Sequence, residues 1–177
     1  MEDTEKVVSR EERFVASVIE RCQVDKGLSA RLRRADNPAT EYQSWELLAG
    51  YGINLERSYE RLPFATVAAV IAKAKPKVNG SLSLGQAIAA SYQDGNQNDQ
   101  AKARLRRLLA CDQLDELCRV LRPLLSLVNS RAAQPLDFIR LLKQLRRFGF
   151  AEQTVKAQWA QEFYGPKGKG SLNEEGA

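Results

Sequence analysis

The stretch Arg104-Leu-Arg-Arg-Leu-Leu-Ala-Cys-Asp-Gln-Leu-Asp-Glu-Leu-Cys-Arg-Val-Leu-Arg122 repeats its apolar residues every three or four positions. That is the period of an α-helix buried on one side, and no run of period two competes with it anywhere in the chain. Leu105, Leu108 and Leu109 fall on one side of a helix from about Asp99 to Ala110. Leu114, Leu117, Cys118, Leu121, Leu125 and Val128 fall on one side of the next, with Asp112 as its cap. Arg104, Arg107, Arg119 and Arg122 lie off those sides. From Lys102 to Arg147 the chain carries eleven basic residues against four acidic ones, Asp112, Asp115, Glu116 and Asp137. Because helical period places that surplus, folding is expected to merge it into one positive track, and such a surface most often meets nucleic acid.

The same period extends in both directions. A first helix is expected from about Thr4 to Gln23, with Val7, Phe14, Val15, Val18, Ile19 and Cys22 inward. Asp25-Lys-Gly27 breaks it, a short helix covers Leu28 to Ala35, and Asn37-Pro38 stops that one. Another helix runs through Trp45, Leu47 and Leu48 to the turn Gly50-Tyr-Gly52. Leu55 to Arg61 reads as helical, and Pro63, a residue suited to a first turn, opens a separate helix ending near Lys75. Lys75 to Ser81 reads as a linker. Ser83 with Gln86 three residues on is a capping box, and Gly85, Ala89 and Ala90 keep that helix thin enough to pack closely. Pro135 starts a helix with Phe138, Leu142 and Leu145 inside and Arg140, Lys143 and Arg147 outside; Phe148-Gly149 ends it. A last helix, about Glu152 to Tyr164, presents Val155, Trp159 and Phe163. The expected fold is all-α, with eight or nine helices in two packed lobes, residues 1–78 and 79–165, and a disordered tail over 166–177.

A chain of 177 residues with 44% hydrophobic content suits one domain, or two small lobes sharing a core. At that size roughly 70% of the unfolded surface is buried, so neither a metal nor a disulfide is needed for folding. The net charge of +5 is modest alone; its clustering is the informative part. Cys22, Cys111 and Cys118 lack metal-ligand spacing and sit beside apolar neighbours, as small buried thiols do. Free thiols favour a reducing compartment, and a cytoplasmic location is expected. The acidic start Met1-Glu-Asp3 lacks the apolar centre of a signal peptide. No stretch approaches the ~20 apolar residues of a membrane span, so no membrane partner is expected.

There is no histidine. The commonest general base and metal ligand is thus missing, and any nucleophile–histidine pair is impossible. The carboxylates are scattered beside basic neighbours, such as Glu11 by Arg10 and Glu60 by Arg61. The glycines from Gly165 to Gly170 follow the last helix rather than precede one, so they are no phosphate loop. No catalytic residue, metal site or cofactor is expected.

Arginine on a helix offers phosphate a planar donor fork. Three clusters are candidates: Lys26, Arg31, Arg33 and Arg34; Arg57 and Arg61 at i, i+4; and Arg104, Arg107, Arg119, Arg122, Arg140, Lys143, Arg146 and Arg147. Trp45, Trp159, Phe138 and Phe148 sit at core spacing and read as packing. Backbone tracking with little base reading follows. Two other readings stay open: a helical scaffold docking acidic proteins through the same faces, and a nuclease whose carboxylates converge on folding.

The run Asp25-Lys-Gly-Leu-Ser-Ala-Arg-Leu-Arg-Arg-Ala-Asp-Asn-Pro38, the segments Ser83-Leu-Gly-Gln-Ala-Ile-Ala89 and Arg104-Leu-Arg-Arg-Leu-Leu-Ala-Cys-Asp112, and the pair Pro135-Leu-Asp-Phe-Ile-Arg-Leu-Leu142 with Trp159-Ala-Gln-Glu-Phe-Tyr164 fall in the order found in CasB proteins. The chain resembles that family, the small subunit of the type I-E CRISPR surveillance complex Cascade, over about residues 10 to 165. Two departures stand out: Gln86, where the family usually has arginine, and the lack of a tryptophan in the first helix. The resemblance implies a helical subunit that binds nucleic acid without cutting it and holds the displaced DNA strand, stabilising the R-loop in antiviral defence. The implied partners are single-stranded DNA, the CRISPR RNA as an additional or alternative polynucleotide, other Cascade subunits and a second copy of the chain. By position, Arg33, Arg34, Arg57, Arg104, Arg107, Arg119, Arg122 and Arg140 match the family's basic surface.

Overall fold

The Ser9 hydroxyl accepts a hydrogen bond from the Glu12 amide at 3.2 Å, and the Glu12 carboxylate accepts one from the Ser9 amide at 3.3 Å. This reciprocal cap satisfies two otherwise orphaned amides and starts α1, Arg10–Val24. The helix therefore begins later than hydrophobic spacing suggested. Val7, expected inward, precedes it and is 90% exposed. The computed structural model describes residues 6–166, so Thr4 and the segment 167–177 lie outside the described residues.

Asp25 caps α2, Lys26–Arg34, by accepting from the Leu28 amide at 2.8 Å. A 3-10 turn, Glu41–Ser44, leads into α3, Trp45–Gly50. Then α4 runs unbroken from Ser58 to Ala74 with Pro63 inside it, so the expected helix start at Pro63 is absent. A proline there frees the carbonyl four residues earlier. That carbonyl belongs to Tyr59, which is exposed, so water can satisfy it. From Pro63 to Ala72 every residue of α4 is buried. A helix apolar on all sides belongs in the middle of a fold.

The second half supplies α5 (Leu84–Ala90), α6 (Asp99–Leu109), α7 (Leu114–Arg131) and α8 (Phe138–Tyr164). The Gln86 side chain accepts from the Ser83 amide at 3.2 Å, as the Ser-x-x-Gln spacing predicts. Asp112 is no cap: Gln113 holds the position before α7, and the Asp112 carboxylate instead accepts from Lys156 Nζ at 2.9 Å. Asp137, rather than Pro135, starts α8 by accepting from the Arg140 amide. The expected break near Gly149 falls at Ala151, whose φ of −141° and ψ of 44° bend α8 without ending it.

α4 packs against α1 and α2 on one side and α7 and α8 on another, so one continuous core spans both halves of the chain. Trp159, Phe138 and Phe148 lie in it, as expected. Cys111 and Cys118 are buried and Cys22 is half-buried, all three free; burial pushes the Cys118 thiol up to about 11. Gly85 lets α5 meet α8: a β-carbon there would come 2.5 Å from Glu162 Cβ. The segment from Lys75 to Ser81 is docked, not loose. The Gly80 amide donates to the Leu136 carbonyl at 2.9 Å, and Asn79 Oδ1 accepts from the Phe138 amide at 2.8 Å. One isolated parallel bridge, Leu82 with Leu136, accompanies this docking. The chain is all-α, with eight α-helices among the described residues. No described helix is long and apolar enough to cross a membrane.

Candidate nucleic-acid interface

Leu28, Leu32 and Ala35 anchor α2 in the core and leave Lys26, Arg31, Arg33 and Arg34 exposed. Leu105 and Leu108 do the same for α6, exposing Arg104, Arg107 and the intervening Arg106. Arg57, just before α4, and Arg147 on α8 are exposed as well. None of the candidates Lys26, Arg31, Arg33, Arg34, Arg57, Arg104, Arg107 and Arg147 forms an ion pair among the described residues.

The other six candidates are engaged within the chain, Arg146 with Glu11 among them. Arg61 Nε donates to the buried Glu41 carboxylate at 2.7 Å, and its guanidinium lies over the Trp45 ring, 5.8 Å from the centroid. Trp45 is thus a half-open stacking plate and not the core residue its spacing suggested. Arg119 pairs with Asp115 one turn away at 3.0 Å, and Arg140 pairs with Glu162 at 2.8 Å. Lys143 reaches Glu12 at 3.1 Å. Arg122, read as lying off the inner face, is only 8% exposed and stands 3.6 Å from Asp36. The packing of α7 on α4, beside the loop after α2 that carries Asp36, covers it. The neighbour pairs expected from sequence are also exchanged: Arg10 meets Glu60 at 3.1 Å, and Glu11 meets Arg146.

Arg140, Lys143 and Arg147 line one groove of about 450 Å³ together with Asn79 and Gln158, and Glu12 of α1 forms part of its wall. Asn79 and Ile139 are shared with a second groove that adds Lys77, a cation outside the candidate clusters. The Lys143 ammonium, then the Ser9 amide, hold the Glu12 carboxyl below its ordinary pKa. Burial pushes Glu11 up, but its backbone hydrogen bond and Arg146 outweigh that and leave it lowered. α2 packs against α1 and α4, α6 packs against α5 and α7, and α8 meets α1 along the groove.

The family model for CRISPR-associated protein Cse2 matches residues 29–164. The chain belongs to the Cse2 family. Solved structures agree with that membership. CasB of M. ruber shares 26% identity, with 89% of this chain and 93% of that chain covered at a TM-score of 0.70. CasB of Thermus thermophilus shares 26%, with 89% and 99% covered at 0.68. A chain of a CRISPR RNA-guided surveillance complex shares 25%, with 87% and 90% covered at 0.68. No curated protein sequence matches. In this Cse2-family chain the span matched by the family model takes in α3 to α8 and most of α2. It leaves out α1, which supplies the acids facing Lys143 and Arg146.

Proposed function

We propose that the chain is a non-catalytic subunit of a CRISPR RNA-guided surveillance complex and holds the displaced DNA strand through its exposed arginines. The observation that carries this reading is that eight of the fourteen candidate cations are exposed without an ion-pair partner among the described residues, on a Cse2-family fold. The likeness to a chain of a CRISPR RNA-guided surveillance complex supports membership of such an assembly, and other Cascade subunits and a second copy are the protein partners this reading proposes. The lack of histidine supports a binding role over a catalytic one. Single-stranded DNA is the first partner, and the CRISPR RNA is the second polynucleotide these cations can meet.

Exchange of duplex DNA for an RNA–DNA hybrid is nearly balanced in free energy, so holding the ejected strand biases it forward. If about five phosphates are neutralised, log K falls with log salt at a slope of roughly −3 to −4, from about −0.7 per single-strand phosphate. The test pairs Arg33→Glu with Arg107→Glu. Single-stranded DNA should bind the isolated chain and the assembled complex more weakly, with a shallower salt slope, while the helical circular-dichroism signal stays. Unchanged DNA retention in both settings refutes the reading. Retention of an acidic protein in place of DNA selects the scaffold reading instead.

A further inference from the structure

One cleft is lined by carboxylates and by no lysine or arginine. It measures about 610 Å³ and opens where the first turn of α4, the loop before α7 and the kink of α8 meet. Leu62, Leu114 and the buried Phe148 are apolar parts of its otherwise mixed lining. Tyr59 and Phe150 stand at its edges, 57% and 79% exposed. Phe150 precedes the non-helical Ala151, so the bend in α8 is what carries an aromatic ring into solvent. Large side chains left bare beside such apolar residues mark an interaction site.

The rim decides what can bind. Asp112, Asp115 and Glu152 line the cleft, and no lysine or arginine does. Asp112 and Asp115 remain 73% and 64% exposed although Lys156 and Arg119 pair with them from outside. Glu116 adds a further exposed carboxylate next to Asp115. On a chain of net charge +5 this is a local inversion, and it repels phosphate. We propose that the cleft docks another protein: a basic segment that inserts one apolar side chain between Tyr59 and Phe150 while its lysines or arginines meet Asp112, Asp115 and Glu152. The anchor gives affinity and the ring of charge gives orientation. None of the cations assigned to DNA lines this cleft, although Arg57 directly precedes Ser58 and Tyr59 of its lining, and the proposal does not depend on that assignment.

The test uses the full chain and three fluorescein-labelled short peptides: one rich in lysine and arginine with leucine and phenylalanine anchors, one with the same charges and serine in place of the anchors, and one with the anchors and glutamate in place of the cations. Fluorescence anisotropy should show binding of the first peptide only, and NMR shifts should map to Tyr59, Leu114 and Phe150. Phe150→Ala and Glu152→Lys should each weaken it by roughly tenfold or more, the scale of losing a central anchor. Phe150 is exposed and Glu152 partly so, and circular dichroism checks that the variants fold. Equal binding of the three peptides, shifts elsewhere, or variants that bind like the parent overturn the proposal. So does a concentration-dependent dimer abolished by Phe150→Ala in sedimentation, which would make a second copy the occupant. Displacement of the peptide from these residues by single-stranded DNA also overturns it.

Discussion

Replacing Asp36 by alanine should destabilise the fold far more than a surface substitution does, because it strands a buried cation. Arg122 is 8% exposed and its Nε lies 3.6 Å from Asp36 Oδ1 with no hydrogen bond of its own. Breaking one side of a buried ion pair costs about 3–5 kcal/mol. The long Nε–Oδ1 separation places this pair at the lower end, about 3 kcal/mol. The half-exposed Lys73, which also contacts Asp36, adds at most about 1 kcal/mol. For a chain of this size a loss of about 3 kcal/mol corresponds to roughly 6–12 °C in Tm. Urea unfolding and calorimetry on Asp36→Ala, Arg122→Met and the double variant give the answer. Arg122→Met removes the charge that needed compensation and leaves Asp36 with Lys73, so it should cost less than Asp36→Ala. Adding it to Asp36→Ala should recover stability. DNA binding should be unchanged in Arg122→Met and reduced in Arg107→Glu. A loss below about 0.5 kcal/mol in Asp36→Ala, or strict additivity in the double variant, refutes the buried-pair reasoning.

Two further outcomes follow from local geometry. Gly80→Ala would place a β-carbon 1.8 Å from the Pro135 carbonyl oxygen, so it should cost about 1–3 kcal/mol or more in urea unfolding, whereas Gly50→Ala, with open space around it, should not destabilise. Glu11 and Glu12 have folded pKa values below the ordinary 4.5, so the stability they confer is present above that value and is lost as pH falls through the lowered one. Unfolding free energy measured between about pH 6 and pH 3 should fall less steeply in the Glu11→Gln, Glu12→Gln double variant than in the parent; equal slopes would contradict the pairing of α1 with α8.

Much of the fold was legible without coordinates because it is local. The Ser83–Gln86 cap, the inward faces of α6 and α7 and the close approach at Gly85 depend on residues a turn apart or on a missing side chain. Errors arose where a distant contact overrode the local signal. Pro63 resembles a helix start, yet burial on all sides of α4 keeps the helix continuous through it. Lys75 to Ser81 has linker composition, yet Asn79 and Gly80 bond to the start of α8. Trp45 has core spacing, yet it becomes a platform for Arg61.

By itself the sequence determined a chain of amphipathic helices with an excess of arginine on their outer sides, since both properties repeat along the backbone at 3.6 residues per turn. Tertiary structure alone decided which of those arginines stay open. Lys143 meets Glu12 across 131 positions of chain, Arg122 sinks against Asp36, and the bend at Ala151 sets Phe150 beside an acidic rim. Charge pairing and burial depend on separations of a few ångströms in space, and the spacing of residues along a chain does not encode those separations.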